Sequence, residues 1–420
     1  MRRLRPVLLG ALCALVGIAF ADTGRAQSPT GAPGQTVVQR GEYLARAADC
    51  AACHTPPNGQ EFTGGYKFSL PFGTIYGPNI TPDKATGIGD YTDDEFVSAL
   101  QRGVGRGGKH LYPAMPYTNY TLMSREDVLA IKAYLFSLTP VHAESPPNDL
   151  SFPYNQRWGM VFWNLLNNPD HRFRPDTAKS PAWNRGAYLA EALGHCQACH
   201  TPRNFLYGLE SGRAYGGAVV QDWLAYNITS DKESGVGAWS DDDLAAYLST
   251  GHAPNHGPAS GPMAEAVDHS LRHLAQSDIR ALVTYLRDVK PVRTETPPPR
   301  PVRADALGER VFREACVSCH LLDGGGRQTP YAALQGAHSV RDPNGTNLLQ
   351  ILVRGGAIAT GGPTAFMPAF GGAYGSEELA AVANWTIGHF GQRGGAVTRK
   401  DVEAVPPPGP ASAARATPGG

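Results

Sequence analysis

Three copies of one pentapeptide carry the chemistry of this chain: Cys50-Ala-Ala-Cys53-His54, Cys196-Gln-Ala-Cys199-His200 and Cys316-Val-Ser-Cys319-His320. Two thiols three residues apart on a tight helical turn can reach the two vinyl groups on one edge of a porphyrin. The histidine that follows projects under the ring and ligates the iron, so Cys-x-x-Cys-His is the attachment signature of c-type haem. Cys-x-x-Cys alone also occurs in zinc sites, thiol oxidoreductases and structural disulfides. The adjacent histidine separates these cases. With 13 His in 420 residues, three such placements by chance come to on the order of 10⁻⁵. No fourth Cys-x-x-Cys completes two closed zinc sites, and no thioredoxin-like βαβ pattern surrounds the pairs. The residues predict three covalently bound haem c groups, held by Cys50 and Cys53, Cys196 and Cys199, and Cys316 and Cys319. His54, His200 and His320 are the expected iron ligands.

The ligand opposite each histidine decides whether an iron carries electrons or binds small molecules. A methionine thioether favours ferrous iron and raises the potential. Met115 in Tyr112-Pro-Ala-Met-Pro116, Met263 in Gly261-Pro-Met and Met367 in Phe366-Met-Pro368 stand at equivalent places in the three units. Proline beside each holds an extended loop, because its ring fixes φ and keeps the preceding residue out of the helical region. Met263 has proline before it but not after, and His252 and His256 are rivals for that second iron. Core filling is the ordinary use of methionine, and it is expected of Met123 and Met160. Yet the chain has only six methionines, and three of the five beyond the initiator fall at matching positions. The remaining histidines, His195 and His338 among them, are expected to be solvated or capping. Gly103-Val-Gly105-Arg-Gly-Gly108 matches a dinucleotide fingerprint literally but follows a helix rather than a strand.

The elements that must position these residues repeat as well. Helices are expected from Gln39 into the first motif, from a Thr92-Asp-Asp-Glu95 cap to about Arg102, and from Ser124 through Leu135, with acids at the N-terminal dipole ends. The second unit echoes this order with Gly186-Ala-Tyr188-Leu189 before its motif, Asn227-Ile-Thr229 for Asn79-Ile-Thr81, and Trp239-Ser-Asp-Asp-Asp243 for Tyr91-Thr-Asp-Asp-Glu95. Ser277 is expected to cap its last helix. The third unit is shorter, with Gly308 to Phe312, Asn347 to Val353 and a helix opening at Ser376-Glu-Glu378. Such repetition means duplication of one small module. In each unit the first and last helices should pack across one another at one edge of the haem.

The boundaries follow: a signal peptide over 1–26, modules over 37–140, 181–290 and 305–393, a connector over 141–180, a Pro-rich linker over 291–304 and a disordered tail over 394–420. Arg2, Arg3 and Arg5 before the apolar run Val7–Phe20, then small residues, fit export with cleavage after Ala21 or Ala26. The connector segment Tyr154–Leu166 could form an apolar helix too short to span a membrane. It is expected to pack between the first two modules, the other reading being a docking surface for a partner or membrane. Lys+Arg and Asp+Glu are equal at 37 each, so nothing points to nucleic acid. Gly 49 and Pro 35 make the chain loop-rich, and a large apolar macrocycle in each module would supply core that the side chains lack.

With the haem motifs, the Tyr-Pro-Ala-Met-Pro loop, the Asn-Ile-Thr repeats, Arg185-Gly-Ala-Tyr-Leu and His200-Thr-Pro-Arg203 in place, residues 38–392 resemble a known family. It is the triheme cytochrome c subunit of bacterial membrane-associated dehydrogenases, such as quinohaemoprotein alcohol dehydrogenase, gluconate 2-dehydrogenase and some molybdenum-dependent oxidoreductases. The resemblance implies a mainly α, loop-rich fold of three tandem class I cytochrome c-like domains, each wrapped around one covalent haem c. It implies a role without catalysis of its own. Electrons would pass from a large catalytic subunit (a quinoprotein, flavoprotein or molybdoprotein acting on CH–OH or aldehyde donors) to membrane quinone or a terminal oxidase. The place implied is peripheral, at the periplasmic side of the cytoplasmic membrane. The residues leave two alternatives: a multihaem peroxidase or reductase with one open iron, and a free periplasmic carrier.

Overall fold

A computed structural model describes residues 35–57, 59–294 and 300–406 of the chain. The expected signal peptide, the centre of the Pro-rich linker and residues 407–420 lie outside them.

Each haem motif sits just after the first helix of a small helical unit, and that helix crosses the unit's last one. In the first unit the pair is Val37–Ala47 and Arg125–Ser137; in the second, Pro181–Ala187 and Gln276–Leu286; in the third, Ala306–Val311 and Ser376–Gly391. The crossings are close because glycine stands at each. A Cβ on Gly41 would lie 1.8 Å from the Ala130 carbonyl oxygen, on Gly186 2.0 Å from that of Ala281, and on Gly308 2.3 Å from that of Ala381. Four residues beyond each of these alanines stands an aromatic, Tyr134, Tyr285 or Trp385, whose Cβ is the next constraint. These contacts fix the correspondence between the units residue by residue. Gly186→Ala is therefore expected to destabilise the protein by about 1–3 kcal/mol through overpacking against backbone that cannot move aside. Chemical denaturation of the haem-loaded chain would measure this, and an unchanged midpoint would refute the close crossing.

Local chemistry explains several helix starts. Thr36 and Thr92 form capping boxes with Gln39 and Glu95, and Ser124, Ser180 and Ser240 each accept a bond from the backbone three residues on. Ser277 is not a cap: the last helix of the second unit begins at Gln276 after Ala275, so Ser277 lies inside it. In the second and third units the first helix widens into a π-helical stretch, Tyr188–Leu193 and Phe312–Cys316, on its way to the motif.

Short antiparallel hairpins lie between the helices of each unit. Lys67–Leu70 pairs with Gly73–Tyr76, Ala218–Val220 with Trp223–Ala225, and Gly356–Ile358 with Ala365–Met367. The Gly394–Pro406 stretch, expected to be disordered, is ordered. Val397 exchanges hydrogen bonds with the Asn384 side chain, Thr398 caps a helix over Arg399–Ala404, and Val397 and Val402 are buried in the third core. Composition missed this because two buried valines suffice to dock so short a segment.

The first two units share one apolar core, which runs from Leu44 and Ile131 through Leu189 and Ile279. The third has a core of its own around Phe312, Leu349 and Ile387. A small cluster of Ala259, Val267 and Ile358 joins it to the second unit. There Asn347 of the third unit clasps the Trp223–Ala225 strand, bonding both the N–H and the carbonyl of Leu224.

Candidate haem-binding sites

The three motifs are brought to the same local arrangement. Cys50–His54, Gln197–His200 and Val317–His320 are short helices that each end at the histidine. The Nδ1 of His54 lies 2.7 Å from the Pro78 carbonyl oxygen, that of His200 2.6 Å from Tyr226 and that of His320 2.7 Å from Ala332. A carbonyl oxygen can only accept, so each Nδ1 carries the proton and Nε2 keeps its lone pair for a metal. Burial holds all three histidines below their ordinary pKa, with the carbonyl bond acting in the opposite sense. They are neutral imidazoles with one nitrogen fixed.

The carbonyls are themselves fixed. Asn79, next after Pro78, accepts from the N–H and hydroxyl of Thr81 and donates to the Val141 carbonyl and the Thr86 hydroxyl. Asn227, next after Tyr226, does the same with Thr229, Val292 and Ser234. The Asn-Ile-Thr repeats are therefore clamps on the loop that orients each histidine, a role spacing alone did not disclose. The third unit orients His320 without one.

Among the described residues none of the six motif cysteines is in a disulfide. Burial pushes the thiols of Cys50 and Cys196 up to about 12 and that of Cys316 up to about 11. Burial also raises the Cys53 thiol, with smaller contributions from Asp49, Cys50 and Cys199 of the second motif. Among the described residues no group of three or more His, Cys, Asp or Glu converges as a metal site. The donor set of each motif, two cysteines and one imidazole oriented by a carbonyl, fits a covalently attached haem.

Met115 lies half-buried in the turn before Tyr117–Tyr120, packed against the shared core. Met263 is in the first turn of the Pro262–His269 helix and packs into the cluster that joins the second and third units. Met367 ends the Ala365–Met367 strand opposite Gly356, against the third core. Of the rival histidines, His256 stacks on Trp239 with ring centroids 3.6 Å apart, and His252 lies against Tyr331 of the third unit. His195 and His338 are not solvated. His195 is half-buried edge-on to Tyr120, and His338 packs beside Tyr226 and Trp239.

The first two units are joined by a reciprocal clasp that sequence reasoning also missed. Tyr43 donates to Asp278 of the second unit at 2.5 Å, and Tyr188 donates to Asp127 of the first at 2.6 Å. Each aspartate is ion-paired within its own unit, Asp127 with Arg40 and Asp278 with Arg185. The signal was present as Arg40-Gly-Glu-Tyr43 and Arg185-Gly-Ala-Tyr188. The third unit has Leu307 and Arg310 at the corresponding places and takes no part.

Comparison with known proteins decides the family. The cytochrome c family profile matches residues 38–139, and the profile of cytochrome c oxidase, cbb3-type, subunit III, matches 303–385. The gluconate 2-dehydrogenase cytochrome c subunit of Pantoea cypripedii is 39 % identical over 395 residues, covering 88 % of this chain and 89 % of the relative. This chain belongs to the family of dehydrogenase cytochrome c subunits. The fructose dehydrogenase cytochrome subunit of Gluconobacter japonicus is 37 % identical, over 96 % of this chain and 90 % of that one. The cytochrome c subunit of quinone-linked alcohol dehydrogenase from Gluconobacter oxydans is 33 % identical, over 94 % and 87 %. As a member, the cytochrome subunit is an electron-transfer component and not the catalytic part of a dehydrogenase.

Proposed function

We propose that this cytochrome subunit carries three haem c groups, bound by Cys50 and Cys53, Cys196 and Cys199, and Cys316 and Cys319. The ligand pairs are His54 with Met115, His200 with Met263, and His320 with Met367, in modules over 37–140, 181–290 and 305–393. When bound, each haem supplies a reversible one-electron iron couple. The chain would be exported and peripheral at the periplasmic side of the cytoplasmic membrane. There it would take electrons from a large dehydrogenase subunit and deliver them to quinone or a terminal oxidase.

The observation that carries this reading is the threefold recurrence of one motif with one oriented histidine. Three relatives are named for gluconate, fructose and alcohol dehydrogenases, which favours a partner that oxidises CH–OH donors. Export is supported by the basic, apolar N-terminus. No helix among the described residues is long and apolar enough to cross a membrane.

The expected intact mass of the matured chain includes three haems, because thioether links survive denaturation. The isolated chain is expected to oxidise no alcohol, aldehyde or sugar acid, and its haems should be reduced within turnover when the cognate dehydrogenase and its substrate are added. Two or fewer haems, or substrate oxidation by the chain with no partner detectable by mass spectrometry, would overturn the proposal.

A further inference from the structure

The chain that carries each histidine-orienting carbonyl is braced differently in the three units. In the first, the Gly73–Tyr76 strand gains a third strand from its own connector. Leu150 and Asp149 pair with Gly73 and Thr74, and Asn148 accepts from the Tyr76 N–H at 3.0 Å. Pro78, which bonds His54, follows two residues later. Among the described residues the Trp223–Ala225 strand of the second unit has no third strand beside it. It is held instead by the third unit. Asn347 accepts from the Leu224 N–H at 2.7 Å and donates to its carbonyl at 2.9 Å, and Gln350 donates to the Asp222 carbonyl at 3.3 Å. Tyr226, whose carbonyl bonds His200, comes directly after this strand, and its ring packs on His338, again of the third unit.

The bracing also runs the other way. His320 is oriented by Ala332, and the residue before it, Tyr331, donates its hydroxyl to the Thr250 carbonyl of the second unit at 2.9 Å. A Cβ on Gly336 would lie 1.8 Å from the Asn255 carbonyl oxygen, so the second unit also bounds the chain just beyond Ala332. These contacts stand where the first two units have their asparagine clamps. The helix Thr346–Arg354 is adapted to its side of the exchange. Asn347 and Gln350, three residues apart, share a face and are both buried. The corresponding helix starts of the other units are acidic, Asp93-Asp94-Glu95 and Asp241-Asp242-Asp243, with Asp94 and Asp242 at the surface. A carboxylate can only accept, whereas a side-chain amide both donates and accepts, as the backbone of a neighbouring strand requires.

We propose that the second and third units orient each other's haem histidine, with Asn347 and Gln350 as positioning residues for His200 and Tyr331 as the positioning residue for His320. The inference rests on the haem ligation proposed above. A carbonyl bond at Nδ1 fixes the ring plane and makes the imidazole a stronger donor to the metal, which favours ferric iron. Loosening a brace lets the carbonyl drift, weakens that donation and raises the potential of the haem concerned.

The test follows each haem of the loaded full chain through a redox titration by NMR, the haems being told apart by the ring-methyl resonances displaced in Met263→Ala and Met367→Ala. Asn347→Leu removes both bonds to Leu224 and alters only the third unit. It is expected to raise the ferrous-to-ferric ratio of the second haem several-fold at a fixed applied potential and to move that haem's methyl shifts, which follow the histidine plane, while the first haem stays in place. Gln350→Leu should move the same haem in the same direction by less, and decides alone if Asn347→Leu does not fold. Tyr331→Phe, which removes one hydroxyl, should move the third haem and not the second. Val397→Ala cuts into the third core and should lower stability without moving the second haem. A second haem unmoved by Gln350→Leu and Asn347→Leu, or moved as far by Val397→Ala, would overturn the proposal. Intact mass and reduction by the dehydrogenase are read on wild type, so failure of the electron-transfer reading appears there, whereas failure of the cross-bracing appears only as variants that match wild type.

Discussion

Asp278→Ala is expected to cost about 3–5 kcal/mol of stability, because it leaves the largely buried guanidinium of Arg185 without its counter-ion. Asp278 accepts from Arg185 Nε at 2.9 Å and Nη2 at 2.5 Å, and the Tyr43 hydroxyl of the first unit bonds the same carboxylate at 2.5 Å. Burial, with the Asp278 bond adding to it, pushes the Tyr43 hydroxyl up to about 12, so it remains a donor. The change therefore strikes the second unit and its junction with the first together. It also has a pH signature. Burial alone would raise the Asp278 pKa, but Arg185 and Tyr43 outweigh it and hold the carboxyl below its ordinary value. A depressed carboxyl contributes stability that is present above its unfolded value of about 3.9 and is lost as pH falls through the lower folded value. Wild type should accordingly lose stability on acidification in that window, and Asp278→Asn should lose less over it. Urea unfolding at neutral and acid pH measures both effects; a cost below about 1 kcal/mol at neutral pH would show that the clasp contributes little.

Met367→Ala should leave the third haem attached through Cys316 and Cys319 while opening its distal side. Its potential should fall by a substantial part of the about 0.8 V that axial ligation commands, since the thioether's preference for ferrous iron is gone. Carbon monoxide should then bind that haem. The backbone at this position is fixed by the strand pairing of Met367 with Gly356, so the loop should persist without the sulfur. Loss of packing alone would shift stability but would not open the iron, and the potential and carbon monoxide binding separate the two. Wild-type protein that binds carbon monoxide at every haem would refute methionine ligation and revive the enzyme alternative.

What was legible in the sequence was what depends on near neighbours. The motif helices, the Thr92, Ser124 and Ser240 caps and the duplicated order of elements are all decided within a few residues. The crossing of first and last helices was legible because Gly41 and Gly186 stand before matching Tyr and Leu residues. The hairpins were not, because three or four residues of mixed character give no readable alternation. The clasp joins residues 235 apart in the chain at Tyr43–Asp278, and neither local propensity nor periodicity carries that information. For the candidate sites, the sequence pattern names candidate ligands but not the carbonyls that orient the histidines: Pro78, Tyr226 and Ala332 contribute backbone atoms, which have no sequence signature.

The common core of the first two units bears on how the protein is made. On the proposed attachment and export, haem would be joined to the cysteines while the chain is still open, and a unit that closed without its ring would lack the centre around which it packs. With Leu44, Ile131, Leu189 and Ile279 in one continuous interior, an attachment missed at Cys196 would leave the already loaded first unit without its neighbour's support. The third unit, closed around Phe312 and Ile387, would be spared. On that reading, maturation is expected to be graded as a pair and a single rather than as three independent events. A quality-control protease would find the first two haem regions either both sealed or both open.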